Sequence, residues 1–270
     1  RVLSQSGLDV IGVSEVTGHP EIFDGRVKSL HPAIHGPLLA RLESEADRKG
    51  LEQLNYPPIQ IVACNLYPFS DAALQEPKLE DSSLLEMIDI GGPTMVRASA
   101  KNHRNVLIVC DPSNYDEVIS TIKQSSDIST IDLAFRQKLA LEAFQHTASY
   151  DSAISDELHA RWIGRPEQSG DKDIQTERLP ETLLSSANIS HSLRYGENSH
   201  QAAALYMDPK AKGKHSTLVT AIVEGGKDMS YNNYSDADAT LRLCRSLSTD
   251  EWPETPHACV IVKHNNPCGA

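Results

Sequence analysis

The run DIGGPTMVRASAKNH, which begins at Asp89, brings together a carboxylate, a double-glycine turn and several basic residues. Glycines let backbone amides come close to a ligand, and the N-terminus of a helix favours bound anions. Pro93 suits the first helical position because it has no N–H to leave unpaired. Thr94, Arg97 and Lys101 follow at a spacing that places them on one helical face. The run therefore predicts a site for a small, negatively charged molecule.

Two earlier runs carry groups that could act on the same anion. In GRVKSLHPAIHG, the cations Arg26 and Lys28 precede the hydroxyl of Ser29, a set that suits a phosphate or a developing oxyanion. A solvated loop is the alternative. CNLYPF places Asn65 and Tyr67 directly after an apolar run, where α/β sheets collect their ligands. The alternative there is a tyrosine that only caps the core.

Proton transfer needs an acid or base within reach of the reacting atoms, and two pairs are candidates. Asp89 and Lys101 could move a proton while the amides between them hold an oxyanion, although a structural salt bridge would use the same residues. Lys263 and His264 open KHNNPCG after another apolar run, so His264 could serve as a base near neutral pH. A purely structural histidine is the alternative. The runs LRYGENSHQ and SYNN add a cation, phenols and amides.

The elements that must position these groups can be inferred from the pattern of apolar residues. Apolar runs bounded by turn residues predict strands at residues 9–13, 59–64, 106–110, 202–207, 217–223 and 259–262. Helices are predicted at residues 82–87, 93–101, just after Asp111-Pro112 and at 236–247, and residues 131–158 are predicted to form one long helix or two. Strands that alternate with helices predict an α/β protein with a parallel, helix-covered sheet.

The composition excludes several classes of protein. A net charge of -12 argues against a nucleic-acid or membrane-surface binder, and 39% hydrophobic residues suit a globular core. Five scattered cysteines form no CxxC pair, which indicates reduced thiols. No signal peptide and no apolar run of about 18 residues is present, so we expect a cytosolic protein.

Six runs together point to one family. GRVKSLHPAIHG, CNLYPF, DIGGPTMVRASAKNH, LRYGENSHQ, SYNN and VKHNNPCG occur in this order over nearly the whole chain. In them the chain resembles the bifunctional purine-biosynthesis enzymes that join AICAR transformylase to IMP cyclohydrolase. The resemblance implies formyl transfer from 10-formyltetrahydrofolate to AICAR, followed by cyclising dehydration of formyl-AICAR to IMP.

The resemblance also implies an architecture. Residues 1–165 would form the IMP cyclohydrolase domain, with a methylglyoxal-synthase-like parallel sheet. Residues 166–182 would be a linker, and residues 183–270 would begin a cytidine-deaminase-like transformylase domain. The family's N-terminal strand, its Ser-Gly-Gly-Thr phosphate loop and most of its folate site have no counterpart here, so we expect this piece alone to be inactive or impaired.

Site residues follow from the resemblance motif by motif. The implied catalytic residues are Lys28, Tyr67, Asp89, Lys101, Lys263 and His264. The implied substrate-binding residues are Arg26, Val27, Ser29, Asn65, Leu66, Ile90, Gly91, Arg194, Tyr195 and Asn233. The resemblance further implies a homodimer and catalysis without a metal.

Three other functions compete with this interpretation. A zinc deaminase is suggested by His19-Pro20-Glu21 and Pro267-Cys268, but that chemistry needs its two motifs close together in one domain. A non-catalytic effector-binding module would not need both Tyr67 and Lys101. A stand-alone cyclohydrolase would not need the runs after residue 183.

Overall fold

The computed structural model describes residues 2–163, 182, 184–208, 217–247 and 258–269. The chain divides into two compact units, Arg1–Leu184 and Ser185–Ala270. The predicted linker at residues 166–182 lies outside the described residues except for residue 182. Within the described ranges, no helix is both long and apolar enough to cross a membrane.

The first unit is mainly helical. Its described helices are α1 (Val2–Gln5), α2 (Val13–Thr17), α3 (Pro32–Leu39), α4 (Glu45–Leu54), α5 (Phe69–Ala73), α6 (Asp81–Leu85), α7 (Gly91–Lys101), α8 (Tyr115–Gln124) and α9 (Leu133–Trp162). Its strands are β1 (Ile61–Ala63) and β2 (Leu107–Val109), and single 3-10 turns cover Phe23–Gly25, Pro112–Asn114 and Ile128–Thr130.

A small parallel sheet forms the centre of this unit. Strands β1 and β2 pair in parallel, with Ile61 opposite Leu107 and Ala63 opposite Val109. Every residue of β2 is buried, whereas β1 alternates between exposed and half-buried positions. The core joins β2 to buried residues of α7 and α9, such as Val96 and Leu139. The predicted α/β class and the strands within residues 59–64 and 106–110 are confirmed.

The strand predicted at residues 9–13 is wrong. Residues 9–12 are irregular and exposed, and α2 begins at Val13. Short strands are stable only when a neighbour satisfies their backbone groups and covers one face. Among the described strands, none pairs with this segment. Apolar character alone was therefore not sufficient to make it a strand.

Helix α7 begins two residues earlier than the sequence indicated. Its first residue is Gly91, so Pro93 occupies the third helical position instead of the first. A proline is tolerated there because N–H groups of the first turn have no partner inside the helix. Thr94, Arg97 and Lys101 are all exposed, as their shared face requires. The helices predicted at residues 82–87 and after Asp111-Pro112 are confirmed as α6 and α8.

Helix α9 is a single helix of 30 residues that begins at Leu133, so the helical prediction over residues 131–158 is confirmed except at its first two residues, and one helix forms instead of two. Leu139, Ala143 and Thr147 are buried along one stripe, at the spacing that their sequence positions required. Phe135 is half-buried against the same core. This long helix contacts α5, α7 and β2, so it backs several segments that carry candidate site residues.

The second unit contains antiparallel pairs and one long helix. Its described elements are β3 (Asn188–Ser192), β4 (Ala204–Met207), α10 (Tyr231–Leu247), β5 (Ile261–Lys263) and β6 (Asn266–Gly269). β3 pairs with β4, and β5 forms a hairpin with β6. Strands within residues 202–207 and 259–262 and a helix over 236–247 are confirmed. Parallel pairing is limited, among the described strands, to β1 and β2.

The strand predicted at residues 217–223 is also wrong. Residues 217–220 form a turn in which Thr220 N donates to Thr217 O at 3.1 Å. The Thr220 hydroxyl accepts a hydrogen bond from Thr217 N at 3.1 Å and donates one to Thr217 O at 3.0 Å. Threonine hydroxyls that bond the nearby backbone in this way compete with strand pairing. The β-branched residues indicated a strand, but local hydrogen bonds decided the outcome.

Candidate active site

Two of the predicted runs meet at the start of α7. The hydroxyl of Ser29 lies so close to Gly91 that a Cβ on Gly91 would collide with it. A Cβ on the next residue, Gly92, would lie 2.8 Å from Cγ of Asp89 and 2.9 Å from Cδ2 of Leu66. Only glycines allow Ser29, Leu66 and Asp89 to close around this turn. The double glycine was predicted to allow close approach, and here the groups that approach are other motif residues.

Asp89 is held by two hydrogen bonds, one through its side chain and one through its backbone. Its carboxylate Oδ1 accepts a hydrogen bond from Gly92 N at 2.8 Å, which caps the N-terminus of α7. Its backbone N–H donates to the hydroxyl of Tyr150 at 2.9 Å. The adjacent Ile90 side chain is 57% exposed, so the surface beside the cap is open to a ligand.

The two cations of the first run are exposed and paired with carboxylates. Arg26 forms an ion pair with Glu86, and Lys28 Nζ lies 3.0 Å from Glu21. Exposed pairs of this kind contribute little to stability, so an arriving anion can replace the carboxylate. Val27, between them, is 38% exposed. Both cations are therefore available to a phosphate or an oxyanion.

The histidines near these cations are part of the local structure. His31 Nδ1 accepts a hydrogen bond from Ala33 N at 3.1 Å and so caps α3. Burial lowers the pKa of His35, and its Nε2 is a buried atom without a hydrogen-bond partner in the structure. A neutral imidazole is the form that such a position favours. Of the basic cluster around residues 26–35, Arg26 and Lys28 are the exposed cations.

The residues after β1 lie at its carboxyl end, as predicted. Asn65 Oδ1 accepts a hydrogen bond from the hydroxyl of Tyr115 at 3.1 Å, which orients the amide. Leu66 is half-buried beside Gly92, and Tyr67 is 54% exposed. The phenol of Tyr67 therefore remains accessible.

Lys101 lies at the opposite end of α7 from the glycine turn. Ten residues separate it from Gly91, which corresponds to about 15 Å along the helix axis. The exposed face between them carries Thr94 and Arg97, and the Arg97 guanidinium sits 5.4 Å from the centroid of the Phe144 ring. A ligand that contacted both ends would have to lie along this face.

In the second unit, the backbone brings LRYGENSHQ and SYNN together. Tyr231 N donates to Tyr195 O at 3.1 Å, and Arg194 N donates to Met229 O at 3.4 Å. Arg194 Nη2 also donates to the Tyr195 hydroxyl at 3.0 Å. Side-chain hydrogen bonding with Ser230, and then with Arg194, lowers the pKa of Tyr195. Both neighbours therefore favour the anionic form of this phenol.

Asn233 has a structural contact at the start of α10. Its Oδ1 accepts hydrogen bonds from Ser230 N at 3.0 Å and from the Ser230 hydroxyl at 2.9 Å. Asn233 N in turn lies 3.4 Å from the same hydroxyl. This reciprocal arrangement is that of a capping box. The Asn233 side chain is exposed, so contact with a ligand is sterically open.

Lys263 and His264 lie at the tip of the β5–β6 hairpin. Lys263 ends β5, and His264 and Asn265 form the turn with φ values of 54° and 60°. Such values are uncommon for residues other than glycine, so neighbouring contacts must support the turn. Asp236 Oδ1 accepts a hydrogen bond from Asn265 N at 2.8 Å, and the Ser235 hydroxyl donates to Asn265 Oδ1 at 2.9 Å.

Three supporting residues were missed by the sequence analysis. Tyr115 orients Asn65, Tyr150 holds the Asp89 backbone, and Asp236 holds the hairpin turn. Tyr115 and Tyr150 occur in helical patterns, where an aromatic residue indicates core packing. Asp236 began the helix predicted at residues 236–247, where an acidic residue is expected for local reasons, whereas α10 begins at Tyr231. No local signal distinguished these residues from ordinary ones.

The zinc-deaminase alternative finds no geometric support. His19 and Glu21 belong to the first unit and Cys268 to the second. In the parts of the chain that the structure describes, no three His, Cys, Asp or Glu side chains are grouped to hold a metal ion. The five cysteines are all free thiols, as the sequence predicted.

Comparison with known protein families decides between the remaining interpretations. The family model described as AICARFT/IMPCHase bienzyme matches residues 99–270, which is more than half of the chain. The chain belongs to the AICARFT/IMPCHase bienzyme family. The resemblance inferred from the six runs is therefore confirmed.

Several relatives of this chain match it over its whole length. Proteins named bifunctional purine biosynthesis protein PurH are 47% identical in Persephonella marina and 41% identical in Sorangium cellulosum, each over 269 residues. Each match covers 100% of this chain and 48% of the relative. The chain thus spans about half the length of these relatives.

One solved structure is also similar to this chain. The crystal structure of ForH is similar with a TM-score of 0.51 and 32% sequence identity, and the match covers 58% of this chain and 80% of ForH.

Proposed function

We propose that the complete protein containing this chain catalyses the last two steps of IMP biosynthesis. The first step transfers a formyl group from 10-formyltetrahydrofolate to AICAR, and the second closes formyl-AICAR to IMP with release of water. The observation that carries this proposal is the meeting of Ser29, Leu66 and Asp89 at the glycine turn of α7, in a chain of the AICARFT/IMPCHase family.

Each reaction is assigned to its own part of the chain. Residues 1–165 belong to a methylglyoxal-synthase-like cyclohydrolase domain, and residues 183–270 begin a cytidine-deaminase-like transformylase domain. The parallel β1–β2 pair supports the first assignment, as does the position of the candidate residues at its carboxyl end. The separation into two compact units agrees with two sites in one polypeptide.

In the cyclisation, the carboxamide nitrogen of formyl-AICAR attacks the formyl carbon. A C–N bond forms, and the electron pair of the C=O bond moves to oxygen and makes an oxyanion. Lys28 and the backbone N–H of Gly91 stabilise this charge, since Gly92 N is bonded to Asp89 and Pro93 has no N–H. The attacking nitrogen then loses a proton and the oxyanion gains one, which gives a carbinolamine. A second proton lets this hydroxyl leave as water; as the C–O bond breaks, a ring-nitrogen lone pair forms the C=N bond and an N–H proton is released.

The proton transfers need groups that reach the reacting atoms. We assign them to Asp89 and Lys101, with the phenol of Tyr67 beside them. Because Lys101 ends α7, formyl-AICAR must lie along the exposed face of that helix. Further contacts to the nucleotide come from Arg26, Val27, Ser29, Asn65, Leu66, Ile90 and Gly91. Exposure of Arg26 and its replaceable pair with Glu86 support a phosphate-binding role.

In the formyl transfer, the amine of AICAR attacks the formyl carbon of 10-formyltetrahydrofolate and forms a C–N bond. The tetrahedral intermediate then collapses: the bond from the formyl carbon to N10 breaks, and tetrahydrofolate leaves with a proton on N10. His264 takes the proton from the amine, and Lys263 stabilises the charge that develops on the formyl oxygen. Arg194 and Tyr195 hold the ribotide, and Asn233 lies beside them. The folate is a substrate, and no residue of this chain is assigned to it. The reaction needs no metal, since the residues named supply both the base and the cation.

We also propose that the complete protein works as a homodimer in the cytosol, in keeping with its family and its reduced thiols. Sedimentation equilibrium of the purified protein tests the dimer. A single monomeric species across the micromolar range would contradict it.

Separate loss of the two activities tests the proposal. Asp89→Asn is expected to reduce IMP formation from supplied formyl-AICAR by about a hundredfold and to leave formyl transfer unchanged. His264→Ala is expected to have the opposite effect. Both variants change one side chain in separate units, so each serves as the control for the other.

Two outcomes would contradict the proposal. One is an unsubstituted complete protein that converts neither substrate. The other is a parallel loss of both activities in either variant, because a shared loss indicates misfolding or a single shared site.

A further inference from the structure

Tyr150 contacts the backbone of the segment that carries Asp89. Its hydroxyl accepts a hydrogen bond from Asp89 N at 2.9 Å and donates one to Met87 O at 3.1 Å. Both backbone groups lie between α6 and α7, where no helix or strand ladder pairs them. One hydroxyl therefore satisfies a donor and an acceptor that flank the start of the candidate site.

The ring of Tyr150 contacts a second predicted run. It packs edge-on against Phe69, with ring centroids 6.3 Å apart and an interplanar angle of 72°. Phe69 is 1% exposed, and its N–H donates to Tyr67 O at 2.8 Å. Through Phe69, the position of Tyr150 is coupled to the backbone of Tyr67. A single side chain of α9 thus contacts two of the runs that carry proposed catalytic residues.

The protonation state of Tyr150 suits this role. Burial is the main cause that raises its pKa, and the Asp89 carboxylate raises it further. The phenol therefore keeps its proton at neutral pH and can donate it to Met87 O. Tyr150 is half-buried and packs against the cluster that contains Phe69 and Leu84.

We propose that Tyr150 is a positioning residue for the cyclohydrolase reaction. By fixing residues 87–89, its hydroxyl sets where the Asp89 carboxylate and the first amides of α7 point. Oxyanion stabilisation and proton transfer are sensitive to displacements of a fraction of an ångström. Greater mobility of residues 87–89 therefore lowers the rate of cyclisation. The inference rests on the proposed function and adds a residue that contacts no substrate.

The test is Tyr150→Phe in the complete protein, assayed for both activities. The variant keeps the ring packing on Phe69 and removes only the hydroxyl. We expect kcat for cyclisation to fall about tenfold and KM for formyl-AICAR to change less than about twofold, because the affected interactions act in the transition state. Formyl transfer should be unchanged. Hydrogen exchange at residues 87–92 should become faster, since two backbone groups lose their partner.

A matched control is Tyr56→Phe, which removes a hydroxyl from another half-buried tyrosine of the same unit. It is expected to keep the unsubstituted kcat and the unsubstituted exchange at residues 87–92. A thermal melt of each variant separates a loss of folded protein from a loss of rate.

The outcomes distinguish this inference from the proposed function. If the unsubstituted protein cyclises formyl-AICAR and Tyr150→Phe does so with the same kcat, the positioning role is overturned. It is also overturned if kcat falls only in proportion to the folded fraction. If the unsubstituted protein does not cyclise formyl-AICAR, the proposed function fails, and the role assigned to Tyr150 fails with it.

Discussion

Asp89 caps the helix that begins two residues after it, through a 2.8 Å hydrogen bond from Gly92 N to its carboxylate Oδ1. The same carboxylate is a proposed proton-transfer group. A cap is held in one orientation by its helix, so this bond fixes the carboxylate at the start of α7. The Asp89 side chain therefore has two roles, as the cap of α7 and as a proposed proton-transfer group.

Gly92→Ala should disturb this cap. The new Cβ would lie 2.8 Å from Cγ of Asp89 and 2.9 Å from Cδ2 of Leu66, so one of them must move. We expect a loss of about 1–3 kcal/mol in the free energy of unfolding, as in other overpacked sites. Urea unfolding of this chain measures the loss, and cyclisation by the complete variant should fall as well.

Gly50→Ala is the matched control, because no heavy atom lies within 4 Å of a Cβ placed there. Gly50 lies inside α4, so alanine is expected to stabilise the chain by about 0.5–1 kcal/mol. Equal effects at the two glycines would contradict the steric argument.

Arg136→Met should destabilise the first unit through unpaired carbonyls. Arg136 is 2% exposed, and its guanidinium donates to the backbone oxygens of His103, Ile128 and Ile131. Removing the donors takes this partner from the carbonyls of His103 and Ile131, while Ile128 O keeps its hydrogen bond from Ile131 N, so we expect a loss of about 3 kcal/mol in unfolding free energy. Chemical denaturation of the chain measures it.

The control for this prediction is Lys49→Met, which removes an exposed cation from its ion pair with Glu45. Exposed pairs contribute less than about 1 kcal/mol, so the midpoint should barely move. A small effect of Arg136→Met, similar to that of the control, would show that the buried guanidinium is dispensable.

Ser230→Ala should raise the pKa of Tyr195. The Ser230 hydroxyl is the largest cause of the lowered pKa of Tyr195, and Arg194 is the next. Donors stabilise the phenolate, so losing one favours the protonated form, and the titration midpoint moves to higher pH. A 13C NMR titration of labelled tyrosine in the chain follows the midpoint.

Ser235→Ala provides a control for the serine-to-alanine change, since Ser235 donates to Asn265 and not to the phenol. Its Tyr195 titration should match that of the unsubstituted chain. An unchanged midpoint in Ser230→Ala would exclude the hydroxyl as the cause of the shift.

Asp236→Ala should slow formyl transfer by the complete protein. Asp236 supports the turn in which His264 and Asn265 have positive φ values, through its bond to Asn265 N. Without that bond the turn can relax and move the His264 imidazole, so we expect kcat for formyl transfer to fall about tenfold. The cyclisation rate should not change.

Asp238→Ala is the control on the same helix. Asp238 pairs with Arg242 at 2.8 Å on α10. This variant should keep both activities, and a comparable loss in the two variants would indicate damage to α10 and not to the hairpin turn.

Local rules predicted much of the fold and most of the candidate residues. Residues 106–110 gave a buried strand because their apolar run was backed by α7 and α9. Residues 9–13 had a similar run, but no neighbouring strand pairs with it among the described residues. The two segments differ in the elements that pack around them, and the sequence of one segment does not specify those elements.

The amino-acid sequence by itself determined the family, the helices with strong periodicity, and the residue types at the glycine turn, because these depend on spacing over a few residues. The tertiary structure decided which distant side chains support them. Tyr150 is 61 residues from Asp89, and Asp236 is 29 residues from Asn265. Such contacts arise only when packed elements bring remote positions together, since no local pattern specifies which surfaces will meet.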